Sequence, residues 1–102
     1  MVFIYTTCKD AEQAKDLGRR IMKARVAACV DIWPIESLYF WENELREDHG
    51  AVLMIKTNEP KVAEIENFLT KNLVTTVPII ATLNTHRLNR EGKEWMTTVI
   101  KP

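Results

Sequence analysis

The sequence predicts an α+β domain with strands and helices in the order βαββαβ, an extended β-hairpin at its centre and a short helix at its end. Three observations carry this. Apolar residues recur at helical spacing in two separate segments, four runs are rich in β-branched and aromatic residues, and the stretch from Ala24 to Leu45 stays apolar for longer than an ordinary strand. With 102 residues, 46% of them hydrophobic, there is material for one core, so residues 1–102 form a single domain.

The first strand is Val2 to Thr7, VFIYTT, which has the composition of a buried strand. Asp10 followed three residues later by Gln13 forms a capping box, and Ala14, Leu17, Ile21 and Ala24 make one apolar stripe on a helix reaching Arg25. Gly18 inside that helix implies that another element approaches its backbone closely. The arm from Ala28 to Glu42 follows, with Trp33, Tyr39 and Trp41 on one face and Leu38 and Phe40 on the other. Strands average about five or six residues, so this arm exceeds what one small sheet pairs, and its surplus calls for another subunit. Pro34 lacks an N–H and is expected to mark a bend or bulge dividing the arm into two pairing segments.

A polar tip at Glu42, Asn43 and Glu44 leads to a central strand, Ala51 to Thr57. Asn58, Glu59 and Pro60 start a second helix, in which Val62, Ile65 and Leu69 continue to about Leu73. Val77 to Leu83 is the fourth strand, with Pro78 near its beginning. After a polar connection, Trp95, Met96, Val99 and Ile100 suit a short amphipathic helix. Two split βαβ units around a hairpin give the ferredoxin-like arrangement, an antiparallel sheet with both helices on one face.

Composition and motifs exclude several functions of this architecture. Fourteen basic residues balance fourteen acidic ones, so the excess that nucleic-acid binding requires is missing, and Ala51 to Thr57 carries no aromatic for base stacking. No membrane span or signal peptide is read at the start, which points to a cytoplasmic protein. Cys8 and Cys29 form no C-x-x-C motif and are expected as free thiols, about a strand length apart. The first loop, Thr7 to Asp10, contains neither paired cysteines for copper transfer nor glycines for a phosphate loop.

Tyr5-Thr6-Thr7-Cys8, Arg25 to Val30 (RVAACV), Ser37 to Glu42 (SLYFWE) and Ile55-Lys56-Thr57, with Pro78 and Glu94-Trp95, resemble the CutA divalent-cation tolerance proteins in order and separation along nearly the whole chain. The resemblance implies a non-enzymatic homotrimer on the plan of the PII signalling proteins, with the long hairpin pairing across subunits. It implies a role in metal-ion response, copper included, or in signalling through inter-subunit clefts. The chain departs from the family pattern in four places, one of them Pro78-Ile79, where a glutamate usually follows the proline. Asn72-Leu73-Val74 stands where a His-Pro-Tyr segment is usual, so the histidine often proposed as a metal ligand is absent. Ile35 and Asn43 stand where glycines are common.

Candidate cleft residues are Cys29, Tyr39, Trp41, Glu42 and Lys56; candidate metal ligands are Cys29, Glu47 and His49. Thiolate suits copper(I), although cysteine after Ala27-Ala28 suits a small core residue better, which is the favoured reading. Glu44, Glu47, Asp48 and His49 gather ligand atoms, but a solvated hairpin end collects the same residues. Tyr39, Phe40 and Trp41 suit a subunit interface better than a ligand cleft. Lys56 closes an apolar strand and could hold a small anionic ligand or simply reach solvent. Two other readings stand beside the resemblance: an enzyme using Lys56, Tyr39 and Glu42 at a subunit interface, and a structural scaffold for a protein partner. No nucleophile paired with a base supports the enzyme.

Overall fold

The computed structural model describes residues 1–73 and 77–102; Val74, in the run set against the family's His-Pro-Tyr segment, lies outside them. The elements are β1 (Val2–Cys8), α1 (Ala11–Lys23), β2 (Cys29–Trp41), β3 (Glu44–Thr57), α2 (Val62–Asn72), β4 (Ile80–Asn84) and α3 (Arg90–Val99). The strands lie in the order β2-β3-β1-β4, and each neighbouring pair is antiparallel, as the sequence predicts.

Register assigns the faces. Val2, Ile4, Thr6 and Cys8 stand opposite Thr57, Ile55, Leu53 and Ala51 and share one side of the sheet. All eight are buried, and Ala14, Leu17 and Ile21 of α1 and Ile65 and Leu69 of α2 close over this side to form the core. Thr6 and Thr57 are accommodated there because each hydroxyl donates to a backbone carbonyl, of Ile79 (2.7 Å) and Val26 (2.6 Å). Phe3, Tyr5, Trp33, Val52, Met54 and Lys56 lie on the opposite side of the sheet, away from α1 and α2. At the end of the sheet where β1 begins, Met96 and Ile100 pack on Ala28. Lys101 ties that end down by donating its N–H to the Arg25 carbonyl (2.7 Å).

The local predictions have physical counterparts. Asp10 caps α1 by accepting the Gln13 N–H (2.8 Å), and the Gln13 side chain accepts the Lys9 N–H (2.9 Å). A Cβ added at Gly18 would come within 3.0 Å of the Val30 side chain, so the element that approaches α1 is β2. Ala24 is not part of the buried stripe. It is the C-cap, exposed, and Arg25 follows at φ 61° where glycine commonly ends a helix. Before α2, Pro60 lies in a one-turn 3₁₀ helix, Glu59–Lys61. Trp95 is exposed on α3, and the inward ridge is Met96 and Ile100 with half-buried Val99 beside them.

The central hairpin departs most from expectation. β3 starts at Glu44 rather than Ala51, and it pairs β2 residue for residue from Cys29↔Lys56 to Trp41↔Glu44. The register runs through Pro34 without a bulge, because β2 is an edge strand and an edge tolerates a missing donor. Since β1 ends at Cys8 opposite Ala51, residues 44–50 have only β2 beside them. The hairpin therefore leaves the sheet as a two-stranded ribbon, and the molecule measures 47 × 26 × 21 Å. The long arm is paired within its own chain; what lacks a partner is the outer edge of each strand. β4 is shorter than predicted, starting at Ile80, with Pro78 in the connection before it.

Glu42 (φ 51°) and Asn43 (φ 64°) form the two-residue turn, both left-handed, the geometry that matches the twist of the flanking strands. Asparagine accepts this conformation and glutamate does not, at a cost of about 1 kcal/mol or more. Glu42→Asn is expected to raise stability by about 1 kcal/mol in urea unfolding. An unchanged or lowered midpoint would show that the turn is not the strained one described.

Candidate functional site

The sequence-predicted site residues fall into two groups at opposite ends of β2. The first lies on the side of the sheet away from α1 and α2. Register puts Cys29 opposite Lys56 and Asp31 diagonal to it, and the Lys56 ammonium lies 2.9 Å from the Asp31 carboxylate. The same ammonium stands 5.9 Å from the centre of the Phe3 ring. The hydrogen bond to Asp31 raises the Lys56 pKa, which keeps the lysine charged. Lys56 is thus neither a free cation nor an unpartnered surface chain, and an incoming anion would compete with Asp31. Cys29 is half-buried on this side, outside the helix-covered core. Burial raises its pKa, and the Lys56 charge opposes the rise.

Cys8 is the cysteine that joins the core. Burial, with Asp10 nearby, raises its thiol pKa to about 11. Cys8 and Cys29 face Ala51 and Lys56, five residues apart on β3, which is ~17 Å along the strand. A raised pKa means less thiolate at a given pH, so alkylation of Cys8 by iodoacetamide should keep climbing about tenfold per unit between pH 8 and 10. A plateau near pH 9 would contradict the burial.

The second group lines a cleft of about 730 Å³ between the ribbon and the end of β1. Ile35, Ser37, Tyr39 and Trp41 share one face of β2 and form one wall. Thr7, Cys8 and Lys9, with Leu73, Val77 and Ile79, form the other. Tyr39 donates its hydroxyl to the Asp48 carboxylate, and this bond raises the tyrosine pKa. Gly50 fixes the base of the ribbon, because a Cβ there would sit 2.7 Å from the Cys8 carbonyl oxygen.

Ten residues separate Cys29 from Tyr39 on β2, ~34 Å of strand, so one chain does not bring the two groups together. Glu42 sits in the turn and lines neither place. Glu47 and His49 share a face as expected, opposite Leu38 and Glu36, with the His49 ring nitrogen 3.7 Å from the Glu36 carboxylate. Among the described residues no three His, Cys, Asp or Glu side chains gather as metal ligands. Asp31 and Arg46 were missed by sequence reasoning, and Asp48 was read only as one of the ligand atoms at the hairpin end, not as the partner of Tyr39. Counting back from a two-residue turn at Glu42-Asn43 would have placed Tyr39 opposite Arg46 and Ser37 opposite Asp48.

The order of elements, the overlong ribbon and the RVAACV and SLYFWE segments have a match that spans the fold. The profile described as CutA1 divalent ion tolerance protein matches residues 2–99. The chain belongs to this family. The divalent-cation tolerance protein CutA of Thermotoga maritima is 30% identical, over 94% of this chain and 95% of the relative. The crystal structure of CutA1 from Oryza sativa superposes with a TM-score of 0.91 at 31% identity, covering 98% of this chain and 93% of that one. A structure from Archaeoglobus fulgidus, described as a periplasmic divalent cation tolerance protein CutA, gives 0.92 at 28% identity over 99% and 100%. CutA1 membership thus fixes the ferredoxin-like fold without fixing the compartment. Among the described residues no helix of this CutA1-family chain is long and apolar enough to cross a membrane.

Proposed function

We propose that this chain acts in divalent-cation tolerance as a non-enzymatic cytoplasmic homotrimer, binding copper or signalling in the PII manner at clefts between its subunits. The observation that carries the reading is the ribbon. Two strands alone are marginally stable in water, yet Leu38 is 68% exposed and Phe40 75% exposed on one face, while Tyr39 and Trp41 are half-exposed on the other. Further copies are the economical cover for such a surface. A head-to-tail arrangement, in which the free β2 edge of one copy meets the β4 edge of the next, closes into a ring. Each contact then sets Tyr39, Trp41 and Glu42 of one copy beside the β4 edge of the next, so a cleft lies between subunits. Cys29, which one chain keeps apart from Glu47 and His49, would meet them at a shared ion only between copies. The names of the relatives support divalent cations as the signal.

The test is native mass spectrometry of metal-stripped protein with limiting copper(II) or zinc. The expected result is a trimer taking up ions in multiples of three, with uptake lost in Cys29→Ser. A trimer that stays bare would remove direct metal binding, and a monomer would remove the clefts.

A further inference from the structure

We propose that α3 is a lid, which undocks as one unit from a fixed seat at the start of β1 and β2 while the sheet beside it stays folded. The helix is weak by itself. Gly92 and the β-branched Thr97, Thr98 and Val99 all disfavour a helix. The N-cap Asn89 directs its side-chain amide to Glu91 (3.3 Å) and leaves the first turn uncapped. Isolated helices as short as ten residues are marginal in water, so α3 keeps its shape only while docked.

The docking contacts are few and stand apart from the main core. Met96 is the buried residue of the helix, and with Ile100 it packs on Ala28 in a cluster of its own, bordered by Met1, Leu88 and Val99. Arg25 fastens the last turn twice: its side chain donates to the Val99 carbonyl (3.1 Å), and its own carbonyl accepts the Lys101 N–H (2.7 Å). It does so at φ 61°, a conformation that costs a non-glycine residue energy. A small satellite cluster with exposed hydrogen bonds is the kind of unit that opens before the rest of a domain.

The seat is held independently of the lid. Val26 and Ala27 are buried in the main core, the Thr57 hydroxyl donates to the Val26 carbonyl (2.6 Å), and the Ala28 N–H donates to the Lys56 carbonyl (2.8 Å). Opening α3 therefore breaks the satellite cluster and leaves β2 paired with β3. It bares Ala28, which adjoins Cys29, and Met1, two residues from Phe3, so the docked lid forms an apolar rim to the group around Lys56. The motion does not rest on the trimer and metal reading.

The test is native-state hydrogen exchange of the full chain, followed by NMR at urea concentrations below the unfolding transition. The N–H groups of Ile100 and Lys101 are expected to exchange together, at least about hundredfold less protected than those of Ile4 and Ile55, and with a much smaller dependence on urea. The Ala28 N–H should stay protected with the sheet. Met96→Ala should speed exchange at Ile100 and Lys101 by about thirtyfold or more, and Met96→Leu, which keeps the volume, by about tenfold or less. The lid is overturned if Ile100 and Lys101 open only with the sheet, if they open at widely different rates, if Ala28 opens with them, or if Met96→Ala leaves them unchanged. Sedimentation of the same samples reports subunit number, so a trimer with a fixed α3 rejects the lid alone. A monomer with a moving α3 keeps the lid and rejects the assembly.

Discussion

Gly50→Val is expected to lower the stability of the chain by about 3 kcal/mol in urea unfolding, with Gly50→Ala losing roughly half as much. At this position β3 leaves β1, and the backbone passes so close to the end of β1 that even a methyl carbon would stand 2.7 Å from the Cys8 carbonyl oxygen. That atom belongs to the backbone of a paired strand and cannot rotate away. The strain must move Cys8 or lift the ribbon. Ala51 and Cys8, both buried in the core, would part, and the cleft would open at its base. A loss below about 1 kcal/mol for valine would mean that the ribbon base is looser than the geometry requires.

Phe40→Ala should behave in the opposite way, with little effect on the fold of one chain and a large effect on assembly. In a lone chain the ring is 75% exposed, and replacing such a residue changes stability by no more than about 0.5 kcal/mol. If copies cover the ribbon, the ring is an aromatic anchor, and its loss costs about 2 kcal/mol or more, near thirtyfold in association. The two expectations separate on dilution of the variant beside the parent chain. Equal dissociation of both would place Phe40 outside the interface.

Much of the fold was legible because its signals are local. Asp10 and Gln13 announce the start of α1 by their spacing, and Gly18 announces a close neighbour that proves to be Val30. The ribbon was harder to read for a physical reason. Alternation of apolar and polar residues records burial, and β3 before Gly50 packs on no core, so Glu44 to His49 read as a polar tip while being fully paired. Pro34 misled in the same manner, since its cost depends on whether the strand is central or at an edge, which no local pattern states. Val77 and Ile79 have strand composition yet stand exposed before β4, on the wall of the cleft.

The site was legible only in pieces. Lys56 stood out as a cation closing an apolar strand, but its Asp31 partner follows from register, two positions along the facing strand from Cys29. Tyr39 and Trp41 were recognisable as a pair on one face, whereas Lys9 and Arg46 reach the cleft from distant parts of the chain. A shared site for Cys29, Tyr39 and Lys56 is reachable only between copies, because the strand that carries the first two separates them by ~34 Å.

Sedimentation velocity of the unmodified chain over a dilution series tests the assembly most directly. The ribbon, with aromatic and aliphatic side chains exposed on both faces, predicts one species of three times 11.8 kDa that persists to low concentration. A species of 11.8 kDa at every concentration would contradict it, and with it the proposal that the clefts of this protein lie between subunits.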